Sequence, residues 1–555
     1  MNASAADRLR VGHELEGRYR AGRLAFVVDG EDYFAAVAEA IERSRGSVVI
    51  LGWEFHSRIA LRRGDQETRL DETLLAAASR GVRVSILLWD HTVLLAGQRE
   101  LLTGWRLRHD NIEVAYASDH PLGAAHHHKM VVVDGEIAFV GGFDLAAERW
   151  DARGHAETSE LRRDPDDHPY EPFHDMALIV DDDAARAICD IAAEHWKRAT
   201  GSDLEVATTP SATAPWPPSF SADLEGVDVG VARTLAPYEK FDGKRSIAAM
   251  YEAAIRQAER LIYLENQYLT SPAIAEVLAD RLREENGPEV IVVSSLQQEG
   301  RLEDMPMAQL RGHWMKQLED ADRHDRLLIG APCAGDEPVA VHAKLLVVDD
   351  ALMSLGSANL SQRSMELDTE LNLVVEADGD ENVAAAISKF RRSLVAEHLG
   401  VAPDSLPDAP ESWVAAIRER DPERKALASI DRPSDLPEEP ALPWRMADSP
   451  EPLHVTVPAE AIGVKPRALA RLSRRGLGVV AVALLLALLF AIDATTAALR
   501  TLLPIHFVYL AAAIALFVLL ARRLRRRVHR YQLQREARQM SNPRPSSLAR
   551  ASNPS

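Results

Sequence analysis

Cysteine is nearly absent from this chain. Cys189 and Cys333 are the only two in 555 residues, and they stand far apart with no CxxC spacing. That argues against a disulfide framework and against a zinc–thiolate site, and it agrees with a reducing compartment. The opening stretch, MNASAADRLRVGHELEGRYR, has no apolar core behind a basic start. No secretory leader is expected. A basic excess is missing too: the formal net charge is −20. No chain-wide electrostatic footprint for nucleic acid exists, so no nucleic-acid partner is expected. With 46% hydrophobic residues, the length suits roughly three or four units of about 150 residues, each able to bury a core.

Long apolar runs occur only near the C-terminus. Gly476 to Ile492 (GLGVVAVALLLALLFAI) carries no charge, and Ile505 to Ala521 (IHFVYLAAAIALFVLLA) has only His506 as an ionisable group of note. Each is at the short end of the range that spans a bilayer. Lys465, Arg467, Arg471, Arg474 and Arg475 precede the first run, and Arg522, Arg523, Arg525, Arg526 and Arg527 follow the second. Two apolar runs with both outer flanks basic predict a transmembrane hairpin with both flanks cytoplasmic. The protein is therefore expected at the cell (inner) membrane, multi-pass through this hairpin, with its bulk in the cytoplasm.

Upstream, short apolar runs alternate with helical spacing. Tyr33–Arg43 and Leu74–Arg80 have helical periodicity, and Ser47–Gly52 and Val82–Trp89 read as strands. After a Pro-, Ser- and Thr-rich break at Thr208–Ser219, the order begins again. Ile247–Arg260 and Ala273–Glu285 read as helices, and Leu261–Glu265 and Val290–Ser295 as strands. HHKMVVVDGEIAFVGGFD from His127 lies over HAKLLVVDDALMSLGSAN from His342, and DMALIVD from Asp175 over ELNLVVE from Glu370. The first copy carries an insertion, assigned to the polar stretch Asp151–Tyr170. The fold class expected is α/β: two pseudo-symmetric lobes packed together, followed by a linker and a two-helix transmembrane hairpin. The expected boundaries are an N-terminal segment 1–24, a first lobe 25–207, a linker 208–225 and a second lobe 226–400. A Pro- and acid-rich linker 401–462 follows, with one helix at Ser412–Arg420. The hairpin with its basic flanks takes 463–531, and a disordered tail 532–555.

The chemistry sits in the repeat. His127, Lys129 and Asp134 form H-x-K-x4-D, and His342, Lys344 and Asp349 repeat that spacing. Gly142 and Asp144 follow the first set at the same offsets as Ser357 and Asn359 follow the second. On a strand, residues i and i+2 share a face, so each His and Lys are expected side by side. Two ammonium groups can neutralise nonbridging phosphate oxygens, one imidazole can attack phosphorus, and the other can protonate the leaving alkoxide. Gly142 and Ser357 are expected to let backbone approach the phosphate. Asp144 and Asn359 are expected to hydrogen-bond the site, and Asp175 and Glu370 to hold the far nitrogen of each His. Asp134 and Asp349 are either catalytic or strand-ending turn residues. His126, His127 and His128 are three neighbours on a strand, and so are not expected to converge on one ion.

A duplicated HxKxxxxD motif resembles the phospholipase D superfamily, and the resemblance covers most of residues 25 to 400. GGFDLAAERWD from Gly141, LIYLENQYL from Leu261 and VHAKLLVVDDALMSLGSANLSQRSM from Val341 resemble segments of true phospholipases D. The resemblance implies hydrolysis or alcohol exchange of a glycerophospholipid headgroup, with phospholipid as the membrane substrate and water or an alcohol as acceptor. It implies that His127 attacks and His342 is the acid, with no metal and no cofactor. Asp144 stands where the second half has Asn359, a departure that leaves open how the first-half donor set is completed. No phox or pleckstrin-like module is seen before the first repeat. The alternatives are a cardiolipin synthase-like phosphatidyltransferase, a nuclease, and an inactive membrane scaffold. Both motifs complete a site within one chain, so they imply nothing about oligomeric state.

Overall fold

The computed structural model describes residues 11–451, apart from 13, 65–66, 91–102, 122, 207–214, 240, 297–300, 408–411 and 433–447. These residues belong to one compact unit, Met1–Pro458. The hairpin 463–531 and the tail lie outside the described residues. No helix among the described residues is long and apolar enough to cross a membrane.

Fourteen strands of one mixed sheet carry the architecture, seven from each half. The first half supplies β1 (Gly17–Val28), β2 (Ser47–Gly52), β3 (Arg83–Trp89), β4 (Ile112–Ala117), β5 (Met130–Val133), β6 (Ile137–Gly141) and β7 (Met176–Asp181). The second supplies β8 (Leu224–Leu235), β9 (Leu261–Asn266), β10 (Glu289–Val293), β11 (Leu327–Ala334), β12 (Lys344–Val348), β13 (Leu352–Gly356) and β14 (Glu370–Glu376). Their spatial order is β4-β3-β2-β5-β6-β7-β1, then β8-β14-β13-β12-β9-β10-β11. Each strand of the first half matches the one seven later. β2, β3 and β4 run parallel, as do β9, β10 and β11, and the other neighbours in this order are antiparallel. Of the parallel sets, β2, β3 and β10 are dense in Val, Ile and Leu and mostly buried, as a sheet covered on both faces requires, whereas the edge strand β4 is largely half-buried.

The halves are joined edge to edge through the antiparallel β1–β8 pair, Gly17 opposite Val231 and Leu24 opposite Leu224. This corrects the boundaries at 25 and 226, since both seam strands begin earlier. GRYRAGRLAFVV escapes a hydrophobicity reading because its N-terminal half is polar and partly exposed. The helices cover the sheet: α1 (Asp29–Arg43), α2 (Leu70–Ser79), α3 (Asp182–Thr200), α4 (Ser246–Gln257), α5 (Pro272–Arg283), α6 (Arg301–Ala321) and α7 (Glu381–His398). The stretch after 400 is not simply linker. α8 (Trp413–Arg420) packs Trp413 and Ile417 into the core, and Leu427–Ala428 pairs with β11. Fully buried Asp448 accepts from Thr270 Oγ1 at 2.6 Å and from the amides of Gln362 and Arg363 at 3.0 Å.

Candidate active site

β5 and β12 are short, wholly buried apolar strands, and a motif lies across each. His127 and Lys129 precede β5, whereas Lys344 opens β12 and His342 precedes it. Each lysine turns back on its own histidine: Lys129 Nζ donates to the His127 carbonyl at 2.8 Å, and Lys344 Nζ to that of His342. Asp134 and Asp349 close the opposite strand ends with left-handed φ of 56° and 55°. The Asp134 carboxylate accepts from the amides of Arg45, Gly46 and Ser47 at 3.0, 2.8 and 2.8 Å. Asp349 accepts from Glu259, Arg260 and Leu261 at 2.6, 2.8 and 2.8 Å. Five residues of extended chain separate each from its lysine, about 16 Å. The catalytic reading of the motif aspartates is therefore corrected: they tie off the start of the neighbouring strand.

Each histidine is braced by the other half. His127 Nδ1 lies 3.0 Å from Glu370 Oε1, and its amide donates to the Thr369 carbonyl at 2.9 Å. His342 Nδ1 lies 2.7 Å from Asp175 Oδ2, and its amide donates to the His174 carbonyl at 2.7 Å. A carboxylate at Nδ1 fixes the proton there and leaves Nε2 as the nitrogen for chemistry. Gly142 and Ser357 serve these acids, which corrects the expectation that they admit phosphate. A Cβ on Gly142 would come within 2.1 Å of Asp175 Oδ1. Ser357 Oγ donates to Glu370 Oε2 at 2.5 Å, and Ser364 Oγ to Oε1 at 2.6 Å. Ser364 had no signal in the sequence; its position follows from the short helix Gln362–Glu366.

Burial, then the charges of Lys129 and Lys344, hold the His127 imidazole well below its usual range. Burial, then Lys344, Arg149 and Lys129, do the same to His342. Both rings are thus neutral before an anion arrives, the form a nucleophile needs. The two ammonium groups differ in surroundings. Lys129 lies 3.1 Å from Asp144, which also accepts from the amides of Trp53 and Glu54 at 2.8 and 3.1 Å. The second half has the neutral Asn359 at that offset, and its buried Oδ1 has no hydrogen-bond partner among the described residues. Trp53 meets the His127 ring edge-on at 6.2 Å and stacks on Trp89; neither Trp stood out in the sequence.

Burial pushes Glu370 up to about 7, against the Ser357 and Ser364 hydroxyls and Lys129. The carboxylate that braces His127 is therefore present above about pH 7 and lost as pH falls. We expect kcat/KM to drop about tenfold per unit below that point. Burial pushes Asp175, the brace of His342, up to about 7 as well. Glu370→Gln, whose amide oxygen accepts at every pH, should therefore make the acid limb of a rate profile shallower between about pH 5 and 9, and only Glu370→Gln with Asp175→Asn should remove it. A limb unchanged in both variants would assign the titration elsewhere.

His126 and His128 point away from His127 and gather with His195 of α3. All three are buried, with ligand atoms within 4.8 Å of one another. Three successive histidines do not converge, as expected, but alternation brings the outer two together.

Two family models match the chain. One described as "Phospholipase D" matches residues 40–276, and one described as "Cardiolipin synthase, PLD-like domain" matches 251–394. Between them they span both motifs. The chain belongs to the phospholipase D superfamily. Among its relatives, phospholipase D A of Dictyostelium discoideum is 28% identical over 68% of this chain and 35% of its own length. Phospholipase D2 of Bos taurus is 24% identical over 66% and 50%. Phospholipase D alpha 4 of Arabidopsis thaliana is 25% identical over 68% and 65%. The chain thus spans between about a third and two thirds of these three superfamily members. The phosphatidylserine synthase of Haemophilus influenzae Rd KW20 shares the fold, with a TM-score of 0.51 and 13% identity over 74% of this chain and 96% of that one.

Proposed function

We propose that the chain is a phospholipase D that cleaves the headgroup phosphodiester of glycerophospholipids through a phosphohistidine. The observation that carries this reading is the crossed pairing of His127 with Glu370 and of His342 with Asp175, which leaves two Nε2 atoms for one phosphorus. His127 Nε2 attacks phosphorus, and the bond to the headgroup oxygen breaks as His342 gives that oxygen a proton. Water then attacks the same phosphorus, His342 takes its proton, and the P–N bond breaks to release phosphatidic acid. Lys129 and Lys344 balance charge on the nonbridging oxygens. The bound phosphate anion offsets the two ammonium charges that keep His342 neutral, so protonation of His342 accompanies binding.

Vesicles of phosphatidylcholine, phosphatidylethanolamine or phosphatidylglycerol test this directly. Free headgroup and phosphatidic acid should appear from at least one of them, and an added primary alcohol should divert product to the phosphatidylalcohol. Failure on every lipid, with or without alcohol, would reject the reading. The second-half match to a cardiolipin synthase-type model favours one alternative acceptor. Cardiolipin and glycerol formed from phosphatidylglycerol, with no phosphatidic acid, would replace hydrolysis by transfer.

We also propose that 463–531 anchors the enzyme at a membrane as a hairpin with cytoplasmic flanks, the support being the two apolar runs and their arginine-rich borders. The full chain should stay with the membrane pellet in alkaline carbonate, and a chain ending at Pro458 should not. Extraction of both would reject the anchor.

A further inference from the structure

Behind the catalytic pair lies a second, largely buried cluster that the phosphodiester chemistry does not use. Asp29 opens α1 with a left-handed φ of 65°. His155 comes from the 151–170 insertion, His174 immediately precedes Asp175, and Glu397 lies on α7 of the second half. His155 Nε2 is 3.3 Å from His174 Nδ1, 3.3 Å from Glu397 Oε1 and 3.6 Å from Asp29 Oδ2. His174 Nδ1 is 4.0 Å from Glu397 Oε1. Donors about 2.0–2.1 Å from a tetrahedral ion stand roughly 3.3–3.4 Å apart. The spacing is already close to that of a metal centre.

The hydrogen bonds around the cluster aim its donors inward. His155 Nδ1 lies 3.1 Å from Asp151 Oδ2, and His174 Nε2 lies 2.9 Å from Glu265 Oε2. Facing carboxylates, these nitrogens carry the ring protons, as in metal-bound histidines. His155 Nε2 and His174 Nδ1 are turned toward one another, and each also faces a carboxylate oxygen, His174 Nδ1 that of Asp29 Oδ1 at 2.9 Å and His155 Nε2 that of Glu397 Oε1 at 3.3 Å. Asp29 Oδ2 and Glu397 Oε1, also pointing inward, are buried and accept no hydrogen bond among the described residues. The outer oxygen of Glu397 is held by Arg153. Glu265 is fixed by the Tyr263 hydroxyl at 2.6 Å and by His398 Nε2 at 3.1 Å. Four acids, Asp29, Asp151, Glu265 and Glu397, face two arginines, Arg153 and Arg162. With His155, His174 and His398 all neutral, the shortfall is two positive charges.

We propose that Asp29, His155, His174 and Glu397 bind one divalent transition-metal ion, zinc by the donor set, which clamps the first half of the chain to the second. Two nitrogens and two carboxylate oxygens suit that ion, and four protein ligands leave no open position, so its role is structural. One such ion meets the charge shortfall and all four inward atoms at once. Two protons, one on each imidazole, would also meet the charge. They would place two N–H groups 3.3 Å apart, one toward Asp29 Oδ1 and the other toward Glu397 Oε1, and would leave buried Asp29 Oδ2 with no donor among the described residues. The clamp lies one residue from the acid that braces His342, and the His174 carbonyl accepts the His342 amide.

The test is independent of the lipid chemistry. The 555-residue chain, without a polyhistidine tag or chelator, is loaded with zinc chloride, desalted and analysed for metal. About one zinc per chain is expected, with the melting temperature lowered by about 5 °C or more after EDTA. His155→Asn and Glu397→Gln should lose the zinc, and His195→Asn, in the separate three-histidine cluster, should keep it. A wild-type chain that retains no zinc after loading and melts identically with EDTA would overturn the proposal in favour of two protons. Zinc kept by His155→Asn and lost by His195→Asn would also overturn it.

Discussion

Replacing His127 with alanine should lower kcat on a phospholipid substrate by about 10,000-fold or more, the usual scale for loss of a nucleophile that acts with a partner base. The fold should tolerate the change. Glu370 keeps its bonds from Ser357 and Ser364, and its carboxyl, already pushed up to about 7, can take a proton once the imidazole is gone. A melting temperature near the wild-type value is therefore expected beside the lost activity. His342→Ala should separate from it with a substrate whose leaving group needs no proton. On a nitrophenyl phosphodiester, His342→Ala should still release a first equivalent of nitrophenol, because attack by His127 does not require the acid. His127→Ala should release none. The opposite pattern would exchange the two roles, which pseudo-symmetry permits.

Asp134→Ala should do the reverse, removing stability and leaving chemistry. Its carboxylate serves the amides of Arg45, Gly46 and Ser47, and Asp134 is 4% exposed. The orphaned buried amides of Gly46 and Ser47 cost about 1–3 kcal/mol each, while that of Arg45 can reach water, so a loss on the order of 2–5 kcal/mol is expected. Asp349→Ala should lose stability in the same direction but less, since of its three amide partners only that of Leu261 is buried. Denaturant melts read the stability, and assays below the melting transition read the chemistry. Activity per folded molecule should stay within about threefold of wild type. A variant that is as stable as wild type yet inactive would return the aspartate to the catalytic group.

Much of this was legible in the residues. The apolar runs at Ser47–Gly52 and Leu261–Asn266 are strands because little else fits six buried aliphatic-rich positions between helices. The duplicated motif and the equivalence of Asp175 with Glu370 were visible as spacing. Which acid serves which histidine was not, because the crossing depends on the β1–β8 seam, and the seam strand around Arg18, Arg20 and Arg23 carries no strong apolar signal. The 151–170 insertion reads as solvated loop by its composition, yet Asp151, His155 and Arg162 are buried. Their charges are matched by residues such as Glu397, more than two hundred positions away, and no local pattern reports that. Asp134 was ambiguous for a similar reason: its amide partners precede it by nearly ninety residues.

The chirality of phosphorus through one turnover bears most directly on the pairing of His127 and His342. A phospholipid made chiral at phosphorus with sulfur and oxygen isotopes, converted with an alcohol acceptor, reports how many displacements took place. Attack by an imidazole followed by attack by the acceptor predicts retention of configuration. Inversion would mean a single direct displacement, with no bond between histidine and phosphorus.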